Sequence, residues 1–256
     1  MQTTVYLCEE SLEGIFSAIY RAWSDGTSHT DVRIRSTSSM NTMSLFESYI
    51  DTEADPELAD KVVSSIQKKL SDEVYYYIFR TALSFDPDRA SVIYHFLQKA
   101  FRIGSAIVKQ LQDPDMMRVF ELTRQIGNES HKYLGFVRFE EMNHGILVSK
   151  INPKSNVVPL IASHFADRLH NENWIILDTG RNFSAIHTAN KGYYLTTNLT
   201  EATLSEVYHI SDHEEQYQQL WSQFFHSVAI AERKNTDLQR NMMPLRYRTY
   251  MNVENP

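Results

Sequence analysis

"SHFADRLHNENWIILDTGRNFSAIH" (163–187) is the stretch on which the fold turns. Its first third continues a helical pattern. On a helix from about 157 to 169, Val158, Ile161, Phe165 and Leu169 share one face with Ala162 beside them, and Pro159 is tolerated in the first turn. The middle, WIILD, is an unbroken apolar run of strand length, the mark of a strand buried on both faces. TGRN then turns the chain into FSAIHT, and ANKG turns it again into YYLTT, which reads as an antiparallel meander. Helix, buried strand and meander in succession indicate an α+β chain.

Working outward supports this. Upstream, two alternating runs, GFVRFEE and ILVSKIN, flank MNHG and form a β-hairpin. Before them lie the helical segments DEVYYYIFRTALSF, DRASVIYHFLQKAFRIGSAIVKQL and DMMRVFELTRQIGNESHKYL, punctuated by Asp-Pro at 86–87 and 113–114. Pro56 sits in the first turn of a helix running toward Leu70. The start reads strand (TTVYLCE), helix (capped by Ser11, ended by Asp25-Gly26), strand (DVRIRST, with Val32 and Ile34 on one side). Downstream, Ser211 and Glu214 make a capping box. It opens a long helix on which Tyr217, Leu220, Trp221, Phe224, Val228 and Ala231 form one apolar stripe. The expected architecture is a small antiparallel sheet, hairpin plus meander, packed against a mainly helical layer. It is expected as one compact chain, with strand–helix–strand and helices over 1–85 and the remaining α+β region over 86–256.

Composition narrows the function. The 256 residues suffice for a sizeable core, and 42% hydrophobic with 22% charged residues is ordinary for a globular protein. MQTTVYLCEE lacks a basic segment followed by an apolar one, and no apolar run reaches bilayer length, so a cytoplasmic protein without membrane contact is expected. The one cysteine, Cys8, excludes an intrachain disulfide and a self-held iron–sulfur cluster, and no cofactor is expected. The net charge of −7 disfavours wholesale coating of nucleic acid. The charge is uneven, however. Residues 47–73 are rich in carboxylates, whereas 233–248 carry Arg233, Lys234, Arg240, Arg246 and Arg248 against Asp237.

Several residues are candidates for chemistry. His164, Asp167 and Arg168 fall on one polar arc of the 157–169 helix, and Asp178 and Arg181 return at the following turn. The arc reads as a solvated helix flank. Asp167, unfavourably placed near the helix C-terminus, could instead be clamped by Arg181. A catalytic His–Asp pair is the third reading, but no nucleophile stands beside it. His209 and His213 have ligand-like spacing, yet the capping box explains that segment better and no metal site is expected. KYLGFVRF (132–139) partly matches an RNA-binding strand signature. An ordinary hairpin is preferred, on which Phe136 and Arg138 share an exposed face. In PLRYRTY (244–250), Arg246 and Arg248 interleave with Tyr247 and Tyr250. They either hold phosphates and stack bases or pack the tail on its own domain, and with Arg233 they are the nucleic-acid candidates.

Taken together, IGNESHKYLGFVRFEE, VVPLIASHFADRL with NWIILDTGR, and FFHSVAIAERKNTDLQRNMMPLRYR resemble a bacterial family described as probable DNA metabolism proteins, built on a domain of unknown function. SLEGIFSAIYRAW resembles its N-terminus, and the His164–Arg168 string favours the stand-alone branch over one fused to uracil-DNA-glycosylase-like proteins. The resemblance implies a radical-SAM protein of DNA modification or repair as partner. It assigns no catalytic residue. It marks as family positions Gly135, Phe136, Arg138, Phe139, His164, Asp167, Arg168, Trp174, Arg233, Asn235, Gln239, Pro244, Arg246 and Tyr247. Three expectations result: an accessory protein of DNA metabolism working with that partner, a DNA- or nucleotide-processing enzyme using the His/Asp/Arg set, or a protein-interaction module without nucleic-acid contact.

Overall fold

In the computed structural model, which describes residues 3–26, 31–39, 44–207 and 209–251, the chain forms two compact units, Met1–Asn128 and Glu129–Pro256. The first begins with strand β1 (Thr3–Cys8), helix α1 (Leu12–Ser24), and strands β2 (Val32–Ser36) and β3 (Glu47–Asp51). Ser11 caps α1 as its sequence suggests, its Oγ accepting the Gly14 N–H at 2.9 Å. Gly14 must be glycine, because a Cβ there would lie 2.7 Å from the Glu9 carbonyl oxygen.

The three strands form a parallel sheet in the order β2-β1-β3. The sequence does not reveal β3. Its residues ESYID are polar and only partly buried, so they read as part of an acidic run. Helices α2 (Pro56–Lys69), α3 (Asp72–Ala82) and α4 (Arg89–Ile103) follow. Ile15, Phe16, Ile19, Ile34, Ile66, Ile78, Ile93 and Phe96 fill one core between them. Ser91 of α4 seals the outer edge of β2, its Oγ accepting the Ile34 N–H and donating to the Ile34 carbonyl.

Helix α5 (Pro114–Phe136) runs from the first unit into the second. The second unit continues with β4 (Glu140–Met142), β5 (Ile146–Ile151), α6 (Val158–Arg168), β6 (Trp174–Asp178), β7 (Phe183–His187), β8 (Tyr193–Thr196), α7 (Glu201–Val207), α8 (Asp212–Val228) and α9 (Thr236–Met242). The α+β class, the hairpin β4–β5 and the meander β6–β7–β8 stand as expected.

Two details differ. The link between hairpin and meander, β5–β6, is parallel, because α6 carries the chain back so that β6 starts beside the start of β5. The five-stranded sheet β4-β5-β6-β7-β8 is therefore mixed. The second correction concerns 136–139. Helix α5 continues through Phe136, with Val137 N–H still bonded to the Tyr133 carbonyl, so Phe136 and Arg138 do not alternate on a strand face. β6 is buried along its whole length, with Trp174 stacked parallel on His187 at 5.1 Å and Phe139 edge-on to both Trp174 and Phe165.

Candidate functional site

The carboxyl ends of the parallel pair β5–β6 carry a network of buried carboxylates and guanidinium groups. Asp178 ends β6 with no exposed surface. Its Oδ1 accepts the N–H groups of Gly180 (3.0 Å) and Arg181 (3.2 Å), and its Oδ2 accepts Arg181 Nη1 at 2.9 Å. Arg181 also donates to the carbonyls of Pro153 (3.1 Å) and Lys154. From the other side, buried Glu129 accepts the N–H groups of Lys154 (2.9 Å) and Ser155 (3.0 Å) and faces Arg246 at 3.6 Å.

The loop between β5 and α6 is thus gripped by two carboxylate–guanidinium arms. Burial pushes the Asp178 carboxyl above its usual range, against the pull of the Arg181 guanidinium and the two N–H groups. Gly180 permits the close approach, since a Cβ would lie 2.9 Å from Asn152 Oδ1. Both Asp178 oxygens are engaged and Arg181 is spent on main-chain carbonyls. The arrangement holds a loop.

His164, Asp167 and Arg168 stay together on α6 but outside this network. All three are exposed, and the His164 ring lies edge-on to Phe165 at 5.2 Å. The Asp–Arg clamp does exist, with Asp178 as its carboxylate; Arg181 does not reach for Asp167. Arg168 lines a hollow of about 330 Å³ with Leu134, Gly135, Arg138, Phe139 and Phe165. Arg138 closes the end of α5, its Nη1 donating to the carbonyls of Gly135 and Val137 at 2.9 Å each.

The basic tail divides in two. Tyr247 is 5% exposed and packs against Tyr133 (5.1 Å) and Phe136 (5.2 Å), with Arg246 over its ring at 4.5 Å. Arg248 is 3% exposed and donates to the carbonyls of Met243 (3.1 Å) and Gln239 (3.2 Å). Tyr250 bonds Thr179 at 3.1 Å. Arg233 and Arg246 are exposed.

The surface whose exposure the sequence does not reveal is α8. Ser211 and Glu214 form the expected cap, with Ser211 Oγ accepting the Glu214 N–H at 3.1 Å. The Glu214 carboxylate turns instead to the Glu141 N–H at 3.2 Å, while Ser211 N–H donates to the Glu141 carbonyl at 2.9 Å. His209 lies before the helix, and its carbonyl accepts the Asn143 N–H at 2.8 Å.

These bonds fasten the start of α8 to edge strand β4. The rest of the helix buries nothing: among its described residues none is buried, and Tyr217 (63%), Trp221 (55%) and Phe224 (56%) stand open to solvent. Ala231, the last member of the stripe, has its side chain outside the described residues. Together with Phe139 and Met251, the stripe residues Tyr217, Leu220, Trp221 and Phe224 wall a groove of about 590 Å³, whose polar edge is Arg138, Glu140, Glu214 and Gln218. Contiguous apolar surface of this kind marks interaction sites.

The fold and this surface define an α+β protein whose second unit is braced by ion pairs on two buried carboxylates and presents an aromatic helix face. A family model for a domain of unknown function, DUF4130, matches residues 87–252, and the chain belongs to that family. No curated protein matches it.

Proposed function

We propose that this chain is a non-catalytic accessory protein of DNA metabolism that docks a radical-SAM partner through the exposed face of α8. The observation that carries the docking role is the solvent-facing row Tyr217, Leu220, Trp221, Phe224 and Val228 on a helix whose start is rigidly capped. Aromatic anchors of this kind dominate the energetics of protein interfaces. The class of partner comes from the family resemblance. Cys8 agrees with it: the thiol is 1% exposed and pushed up to about 11, mainly by burial, so it is no candidate for a thiolate ligand. Any cluster chemistry belongs to the partner.

The enzyme reading draws less support. Asp178 and Arg181 are consumed by the loop clamp, and His164 and Asp167 stand exposed without an ordered base–nucleophile pair. The test is co-purification at native expression level. The tagged chain should retain a protein bearing iron and acid-labile sulfide, and Trp221→Glu should release it. A second check concerns Cys8, which should resist a disulfide reagent in the native chain and react once denatured. Fast native labelling would remove the argument that the cluster is supplied in trans.

A further inference from the structure

The first unit holds a second site of different character. On α1, Tyr20, Trp23 and Ser24 are spaced i, i+3, i+4 and share one face. On α2, Lys61, Ser65 and Lys69 are spaced i, i+4, i+8 and also share one face. Together with Phe101 of α4 these residues line a groove of about 420 Å³, within the size range of small-ligand pockets.

One wall is aromatic. Trp23 packs edge-on against Phe101 at 5.1 Å, and Tyr20 and Trp23 are both half-buried, so each is anchored yet accessible. The other wall is cationic and hydroxylic. The Lys61 ammonium lies 5.8 Å from the Tyr20 ring, and among the described residues Lys61, Lys68 and Lys69 form no ion pair. An adjoining hollow of about 420 Å³ extends the lysine row to Lys68 and is lined as well by Glu57 and Asp60, with Glu57 one turn before Lys61. Helix polarity accounts for Lys68 and Lys69 in the last turn of α2. It does not account for an aromatic wall facing the lysines.

We infer that the α1–α2 groove binds a nucleotide, its phosphate on Lys61 and Lys69 with the hydroxyls of Ser24 and Ser65, and its base against Trp23 and Tyr20. Ammonium groups and hydroxyls are the common donors to phosphate oxygens. Aromatic rings supply the stacking surface that any base accepts. A free nucleotide and a nucleotide unit within a single DNA strand share this chemistry, and the experiment separates them. The site is independent of the α8 face, so each reading can fail alone.

The test titrates the full chain at low salt with two probes: adenosine monophosphate by calorimetry, and fluorescein-labelled oligothymidylate by anisotropy. At least one should bind. Binding of the monophosphate assigns a free-nucleotide site; binding of the oligonucleotide alone assigns a strand site. Lys61→Gln with Lys69→Gln should weaken the bound probe by roughly tenfold or more, and should flatten the salt slope of the oligonucleotide by about 0.7 for the one lost phosphate contact. Lys61→Arg with Lys69→Arg should retain binding, which separates lost charge from damage to the fold. Trp23→Leu should weaken binding with the slope unchanged, since stacking releases no counterions. No binding of either probe, or binding indifferent to the lysine pair, overturns the inference.

Discussion

Helices α1 and α8 carry the same sequence signature and meet opposite fates. Each is opened by a serine cap, and each sets large apolar residues at helical spacing. On α1 that stripe disappears: Ile15, Phe16, Ala18, Ile19 and Ala22 are all buried in the core of the first unit. On α8 it remains outside, with no buried residue among those described. Amphipathic periodicity reports that a helix has an apolar face to cover. It does not report whether the cover is the chain itself or another molecule. The α8 stripe is richer in large aromatics than that of α1, which is the composition of interface anchors.

Mutation should separate the two helices most clearly at phenylalanine. Phe16→Ala on α1 empties a filled core and should cost about 3–5 kcal/mol, readable as a large fall in denaturant midpoint. Phe224→Ala on α8 should stay within about 0.5 kcal/mol, as for exposed positions without special contacts. Comparable losses at the two sites would mean that α8 is covered by its own chain. The next effect in size belongs to the clamp behind β5 and β6. Asp178→Asn should cost about 3 kcal/mol, at the low end for breaking a buried pair because Arg181 keeps some contact with water. Asp167→Asn on the exposed flank of α6 should be nearly silent in the same melt.

A smaller effect sharpens the comparison at the helix starts. Ser11→Ala and Ser211→Ala each remove one capping hydrogen bond and should each cost about 1 kcal/mol. Ser211→Ala should in addition loosen α8 from β4, seen as faster amide exchange at Glu141 and Ser211. Equal exchange in wild type and variant would show that the cap does not fasten the helix.

Much of this architecture is legible in the sequence, because most elements have one periodic face. WIILD, the hairpin around MNHG, the meander turns, and the serine caps of α1 and α8 all follow from local rules. What is not legible depends on partners distant in sequence. β3 is hidden because ESYID is polar and half-buried at a sheet edge. The division at residue 128 is hidden because it falls inside α5, which runs unbroken through Gly127 and Asn128. Arg248 and Tyr247 look like surface groups for phosphates and bases, yet they are buried because the carbonyls of Met243 and Gln239 and the ring of Tyr133 lie ready to receive them. Of the site candidates, the sequence names both members of the Asp178–Arg181 pair but not their pairing. It also finds the aromatic stripe of α8 without revealing that the stripe stays exposed.

The central claim is that α8 is covered by a partner. It is tested most directly by co-purifying the tagged chain in wild-type and Trp221→Glu forms, after both are shown to melt alike. The account predicts that wild type retains a protein carrying iron and acid-labile sulfide and that the variant does not. An iron–sulfur protein retained equally by both forms, or by neither, would contradict it.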